Sequence, residues 1–206
     1  MAKILGNFHL ALLIGVLLLA AAMFGLHREV MHGAYWAVFA RYLHIFAGVL
    51  WIGLLYYFNF VQIPTMPKVP AELKPGVTKY IAPAALFWFR WAAMSTIVFG
   101  IILAWQNNYL GQAYSLDFSD GSAGWPVVPK FLMIGIGMWL GTIMWFNVWF
   151  IIWPNQLKAL NIDNKYPDLA QPAKDAAAKT AGMFSRVNTM LSIPMLFCMA
   201  AASHLF

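Results

Sequence analysis

Between Arg41 and Gln62 the chain reads Arg-Tyr-Leu-His-Ile-Phe-Ala-Gly-Val-Leu-Trp-Ile-Gly-Leu-Leu-Tyr-Tyr-Phe-Asn-Phe-Val-Gln. The run is apolar nearly all round and long enough to cross a bilayer as a helix. One imidazole, His44, lies about a turn in from its start, where a polar ring carries a cost unless it has a partner or a task. Small residues at Ala47, Gly48 and Gly53 would let a second helix, or a flat cofactor, approach the backbone closely. Asn59 and Gln62 make the exit polar, and Pro64 is expected to end the helix because it cannot continue the hydrogen-bond ladder.

Four further apolar runs accompany this one. With 62% hydrophobic and 10% charged residues, against about half and about a quarter in soluble domains, the chain is expected to be an all-α integral membrane protein. Five transmembrane helices are expected at about 8–26, 36–63, 81–106, 126–153 and 183–205, in a single transmembrane domain over 1–206. The first run, behind Lys3, is read as a retained helix although a cleaved signal peptide looks similar. The segment Pro64–Tyr80 holds four prolines and is expected to be irregular. Asn107–Trp125 has Asp117 and Asp120 but no Lys or Arg, and Asn155–Ser185 is the most soluble-looking stretch. The single cysteine, Cys198, excludes an internal disulfide and a Cys-x-x-Cys-His attachment site, so any haem is held non-covalently.

The net charge of +6 calls for no nucleic acid, because loop Lys and Arg residues orient a membrane protein. With the N-terminus cytoplasmic, Lys3, Lys68, Lys74, Lys79, Lys158, Lys165, Lys174, Lys179 and Arg186 face inward. Arg28, Arg41 and Lys130 then face outward. Nine against three predicts a multi-pass protein of the bacterial inner membrane with a periplasmic C-terminus. An internal repeat points the same way. Trp51-Ile-Gly53, Asn59 and Pro64 correspond to Trp139-Leu-Gly141, Asn147 and Pro154, each Trp lying eight residues before its Asn. Helices two to five are thus expected to form a four-helix bundle of two parallel-repeated hairpins, with the first helix outside it.

Depth selects the candidate site residues. His44 lies 18 residues before Gln62 and His204 lies 18 residues after Arg186, so both stand roughly 27 Å above the inner interface at helical rise. Two imidazoles at one level in a bundle are candidates for axial ligation of a haem iron. His27 and His32 lie on the same side and are the alternative partners; His9 belongs to the opposite side. In the inner half, Asn59, Arg90, Asn147 and Asn188 form a second polar set. Arg90 is a candidate for an anionic substrate, a haem propionate or a quinone oxygen, with Asn59 and Asn147 orienting the ligand; a structural arginine bonded to carbonyls and asparagines is the other reading. The tryptophans and methionines read as packing and interfacial anchors, and Gly135, Gly137 and Gly141 as a close-packing face. A Ser-His-Asp arrangement, a phosphate loop and a Glu-x-x-His pair are absent from the sequence.

Four stretches carry a family resemblance: the His44 helix; Pro-Ala-Ala-Leu-Phe-Trp-Phe-Arg90-Trp; Met-Trp-Phe-Asn147-Val-Trp-Phe-Ile-Ile-Trp-Pro-Asn-Gln; and the segment from Arg186 to His204. Together they resemble the membrane domain of PuuD-type urate hydroxylases over most of residues 36–204. The His44 segment is also loosely similar to the histidine helix of HemJ-type haem-binding membrane proteins. The resemblance implies a membrane oxidoreductase unit with haem b, linked to cytochrome electron transfer. Urate-acting members carry a C-terminal cytochrome c domain; the sequence in hand ends at Phe206, and a separate c-type cytochrome, or other subunits of a redox complex, is expected in that place. The alternative expectation is an accessory subunit of a larger respiratory or oxidase assembly without catalysis of its own.

Overall fold

The computed structural model describes residues 6–31, 33–117 and 130–204. Lys3, His32, Asp120, the expected start of the fourth helix at Pro126 and residue 205 lie outside the described residues. Among the described residues every regular element is helical. Five helices are long and apolar enough to cross a membrane, which makes the chain a multi-pass membrane protein. The fold is the expected one in kind because a chain in hydrocarbon has no water to satisfy its backbone and must bond each N–H and C=O internally.

The chain divides into two compact units, Met1–Phe39 and Ala40–Phe206. The first contains α1 (Phe8–Leu26), whose opening N–H groups are capped by Asn7, Oδ1 accepting from the Leu10 amide at 3.2 Å. A 3-10 turn, Arg28–Val30, follows, and His27 Nδ1 bonds the Tyr35 hydroxyl at 3.3 Å. The second unit holds most of α2 (Tyr35–Lys68), then α3 (Lys74–Gln106), the short α4 (Leu110–Tyr114), α5 (Lys130–Leu160) and α6 (Gln171–His204).

The long helices overrun the boundaries expected from hydropathy. α2 continues past Pro64 to Lys68, and α3 starts at Lys74 instead of 81. α5 runs to Leu160 instead of 153, and α6 starts at Gln171 instead of 183. The irregular part of the first connection shrinks to about Val69–Leu73. Apolar character ends where the bilayer ends, but helix propensity does not: Ala173–Ala181 is built of Ala, Lys, Asp and Thr, led by the best helix formers. The second connection breaks where Asn161, Asp163 and Asn164 take left-handed backbone, φ 48, 56 and 54°. Asn161 Oδ1 accepts the Tyr166 amide at 2.8 Å and fixes the turn.

Proline shapes the helices without stopping them. Three π-helical segments, Tyr57–Gln62, Val77–Ile81 and Asn147–Ile152, each end two residues before a proline, Pro64, Pro83 and Pro154. Proline offers no N–H and its ring collides with the carbonyl four residues back, here Phe60, Lys79 and Phe150. The wider π turn absorbs the collision and keeps the helix continuous.

The spans of unit two share one core, at the end of the helices joined by the connections 69–73 and 161–170. Trp51, Leu55 and Phe58 of α2, Leu86, Phe89 and Ala93 of α3, Met144, Val148 and Ile152 of α5, and Ala181 and Met195 of α6 are all buried in it. Phe58 and Phe89 meet edge to face at 5.7 Å. Polar bonds tie the same half together. Asn188, wholly buried, accepts from Asn147 Nδ2 at 2.8 Å and donates to the Met144 carbonyl at 2.9 Å. Asn59 donates to Ser185 Oγ at 2.8 Å. Because Ser192 spends its proton on the Thr189 carbonyl at 2.7 Å, the Tyr56 hydroxyl is the donor in the 2.9 Å bond to Ser192.

Replacing Asn188 by Leu orphans the Asn147 amide and is expected to cost about 1–2 kcal/mol. The double variant Asn147→Leu, Asn188→Leu should cost less than the sum of the singles, as measured by denaturant unfolding in detergent.

Candidate functional site

At the other end of the same helices the packing opens. Residues 41–53 of α2, 96–103 of α3, 134–141 of α5 and 195–199 of α6 surround a cavity of about 430 Å³, within the range of small-molecule and cofactor sites. Glycine makes the space. A side chain grown on Gly53 or on Gly141, the paired glycines of the two Trp-x-Gly motifs, would meet nothing within 4 Å, and both line the cavity. Of the expected close-packing face, Gly135 receives the Ala113 carbonyl of α4 and Gly137 receives Cys198 at 3.1 Å, whereas Gly141 is open.

His44 projects from α2 into this cavity. Its Nδ1 lies 2.8 Å from the Thr96 carbonyl of α3, and a carbonyl only accepts, so Nδ1 carries the proton. The other nitrogen, Nε2, then keeps its lone pair. Thr96 Oγ1 turns back to the Ala92 carbonyl at 2.7 Å and does not compete. Gly100 supports the ring from below: a Cβ there would fall 2.9 Å from Cε1 and 3.0 Å from Nδ1 of His44. A fixed tautomer, a carbonyl behind the ring and a free Nε2 are what orients a histidine that ligates metal.

The remaining polar groups of the cavity gather at its outer rim. Arg41 precedes His44 by one turn of α2. Tyr109, just past α3, donates its amide to the Ala104 carbonyl at 3.1 Å and stacks on Phe131. Burial raises the Tyr109 hydroxyl above its ordinary pKa and the Arg41 charge offsets part of that rise, so the phenol stays a donor at neutral pH. Since Thr142 Oγ1 donates to the Met138 carbonyl at 2.8 Å, the Tyr114 hydroxyl donates to Thr142 at 3.0 Å. Met138, Met195 and Met199 add three thioethers to the walls.

The other expected site residues are placed elsewhere. His204 is exposed, bonds the Ala200 carbonyl of its own helix at 2.8 Å and does not line the cavity. His27 bonds Tyr35 within the first unit. Arg90, Asn59 and Asn147 do not line this cavity. Asn147 and Asn59 join helices, as described above. The Arg90 guanidinium lies 3.7 Å from the ring centroid of Trp153 and 5.4 Å from that of Trp149, a cation–π pairing. Arg90 thus lies midway along α3 and faces the Trp149–Trp153 turn of α5. Sequence reasoning missed Tyr109, Arg41, Gly100 and Thr96. An Arg-x-x-His spacing, which puts both side chains on one helix face, was the available signal for Arg41.

Among the described residues no group of three or more His, Cys, Asp or Glu is arranged to hold a metal ion. A bare ion commonly needs such a group; an iron that brings four nitrogens of its own needs only axial ligands. Family models, curated proteins and solved structures were compared with the chain, and none matches.

Gly100→Ala is expected to push the imbedded ring aside. Nitrogen-15 NMR of histidine-labelled protein should report His44 as the Nδ1–H tautomer in the parent and lose that signature in the variant. Arg90→Lys retains the charge but loses the flat stacking on Trp153, and a fall in unfolding stability of about 1 kcal/mol is expected in detergent.

Proposed function

We propose that this chain is a membrane electron-transfer or oxidoreductase protein that holds a b-type haem in the cavity, with His44 Nε2 as axial ligand. One observation carries the reading: His44 stands in an apolar cavity with its proton committed to the Thr96 carbonyl and its ring backed by Gly100. The surroundings fit such a group. Gly53 and Gly141 leave a cradle that a side chain would fill, and the walls are largely apolar. Met138, Met195 and Met199 also line the cavity, and a thioether is an established second ligand to haem iron. When bound, haem supplies a one-electron couple. The chain's own residues fix the imidazole, exclude water through the apolar walls and set the charge at the rim.

The resemblance to the membrane domain of PuuD-type urate hydroxylases supports the same reading. The excess of Lys and Arg at the end opposite Arg41 supports a cytoplasmic N-terminus and a bacterial inner-membrane location. The cavity then opens near the periplasmic face, within reach of a c-type cytochrome or another subunit of a respiratory complex. The paired π segments before Pro64 and Pro154, and the paired open glycines Gly53 and Gly141, support the two-hairpin repeat.

Protein purified from haem-supplied cells should show a reduced α-band and a positive pyridine haemochrome assay. His44→Ala should abolish both, and His204→Ala should leave both intact. Haem-free parent protein would overturn the reading.

A further inference from the structure

We propose that Arg41 is the anion anchor of this cavity, and that the ligand is a flat amphiphile bearing a carboxylate at the rim, a haem propionate under the reading above. The inference rests on that reading for the ligand's identity and can fail separately from it.

The cavity is asymmetric. Its depth is walled by Val49, Ile52, Ile97, Leu103 and Ile134, whereas Arg41, exposed at the mouth, is the one charged residue lining it among the described residues. Among the described residues neither Asp, Glu nor Lys lines it. No hydrogen bond or ion pair among the described residues engages the Arg41 guanidinium, which is exposed. A cation left over at the edge of an apolar cavity favours a ligand that brings the opposite charge to that edge and buries the rest. The spacing suits this division. Arg41 and His44 lie three residues apart on one face, a rise of roughly 4.5 Å, so a ligand centred at Nε2 has its outer edge at the guanidinium. Tyr109 adds a neutral donor at the same rim, its ring held against Phe131. Arg90, by contrast, is occupied by Trp153 and borders no part of this cavity.

The test is a spectroscopic titration of haem-depleted protein in phosphatidylcholine nanodiscs, with haemin and with haemin dimethyl ester, whose propionates carry no charge. The parent should bind haemin about tenfold or more tightly than the ester. Arg41→Gln should weaken haemin to the level of the ester and leave ester binding unchanged. The ester arm uses the parent protein, so it stands whatever the variant's folding. Equal affinity of the parent for both porphyrins, or an undiminished haemin preference in Arg41→Gln, overturns the role of Arg41 while leaving haem binding in place. Failure of both porphyrins to bind the parent overturns the haem reading and this inference together. If parent affinity for haemin falls to the variant's value when phosphatidylglycerol replaces phosphatidylcholine, the guanidinium serves lipid phosphate and the proposal is also overturned.

Discussion

The contact between His44 and the Thr96–Gly100 turn of α3 governs what this bundle can do. Helices two and three approach so closely there that a methyl group on Gly100 would strike the imidazole. In return the ring receives a carbonyl at 2.8 Å that commits one nitrogen and frees the other. In hydrocarbon a polar ring without that partner would cost more than its packing returns. The same contact therefore makes the histidine tolerable and gives it a direction.

Around this point the four spans of the second unit behave differently at their two ends. The inner half is closed by large side chains and by amide bonds between Asn147, Asn188, Asn59 and Ser185. The outer half is lined by glycines at 48, 53, 100 and 141 and stays open. A bundle locked at one end can hold a cavity at the other without collapse, because the fixed end sets the separation of the helix axes. The π turns contribute by carrying Pro64, Pro83 and Pro154 inside continuous helices, so the helices run on past the prolines instead of breaking at them.

Polar residues inside the spans divide into two kinds that look alike in a sequence. Arg90 and the asparagines are expensive in lipid, and protein groups supply the partners they have: the Arg90 guanidinium lies over the Trp153 ring, although its buried Nε has no hydrogen-bond partner among the described residues, and Asn188 bonds Asn147 and the Met144 carbonyl. Arg41 and the Nε2 of His44 border a cavity instead. Cost alone cannot tell these cases apart, since a structural network and a binding site both retain polar groups.

Much of this was legible in the chain itself. Hydropathy over some twenty residues reports transfer into lipid, a local property, so the five spans could be read directly. Trp51-x-Gly53 and Trp139-x-Gly141 likewise announced paired glycines that both reach the cavity. Helix ends were misread, because hydropathy marks the bilayer edge whereas Ala173–Ala181 continues as helix in water through propensity. Matching His44 with His204 by depth alone also lacked the angular term: equal rise along two helices does not fix the direction in which each side chain points. His204 turns back to its own helix, and the neighbours of His44, Thr96 and Gly100, come from a helix fifty residues away. Sequence by itself determined the class, the spans and the polar residues that needed partners. Only tertiary packing decided which partners they took, because rotation of one helix about its axis relative to another is set by contacts between segments that no local pattern encodes.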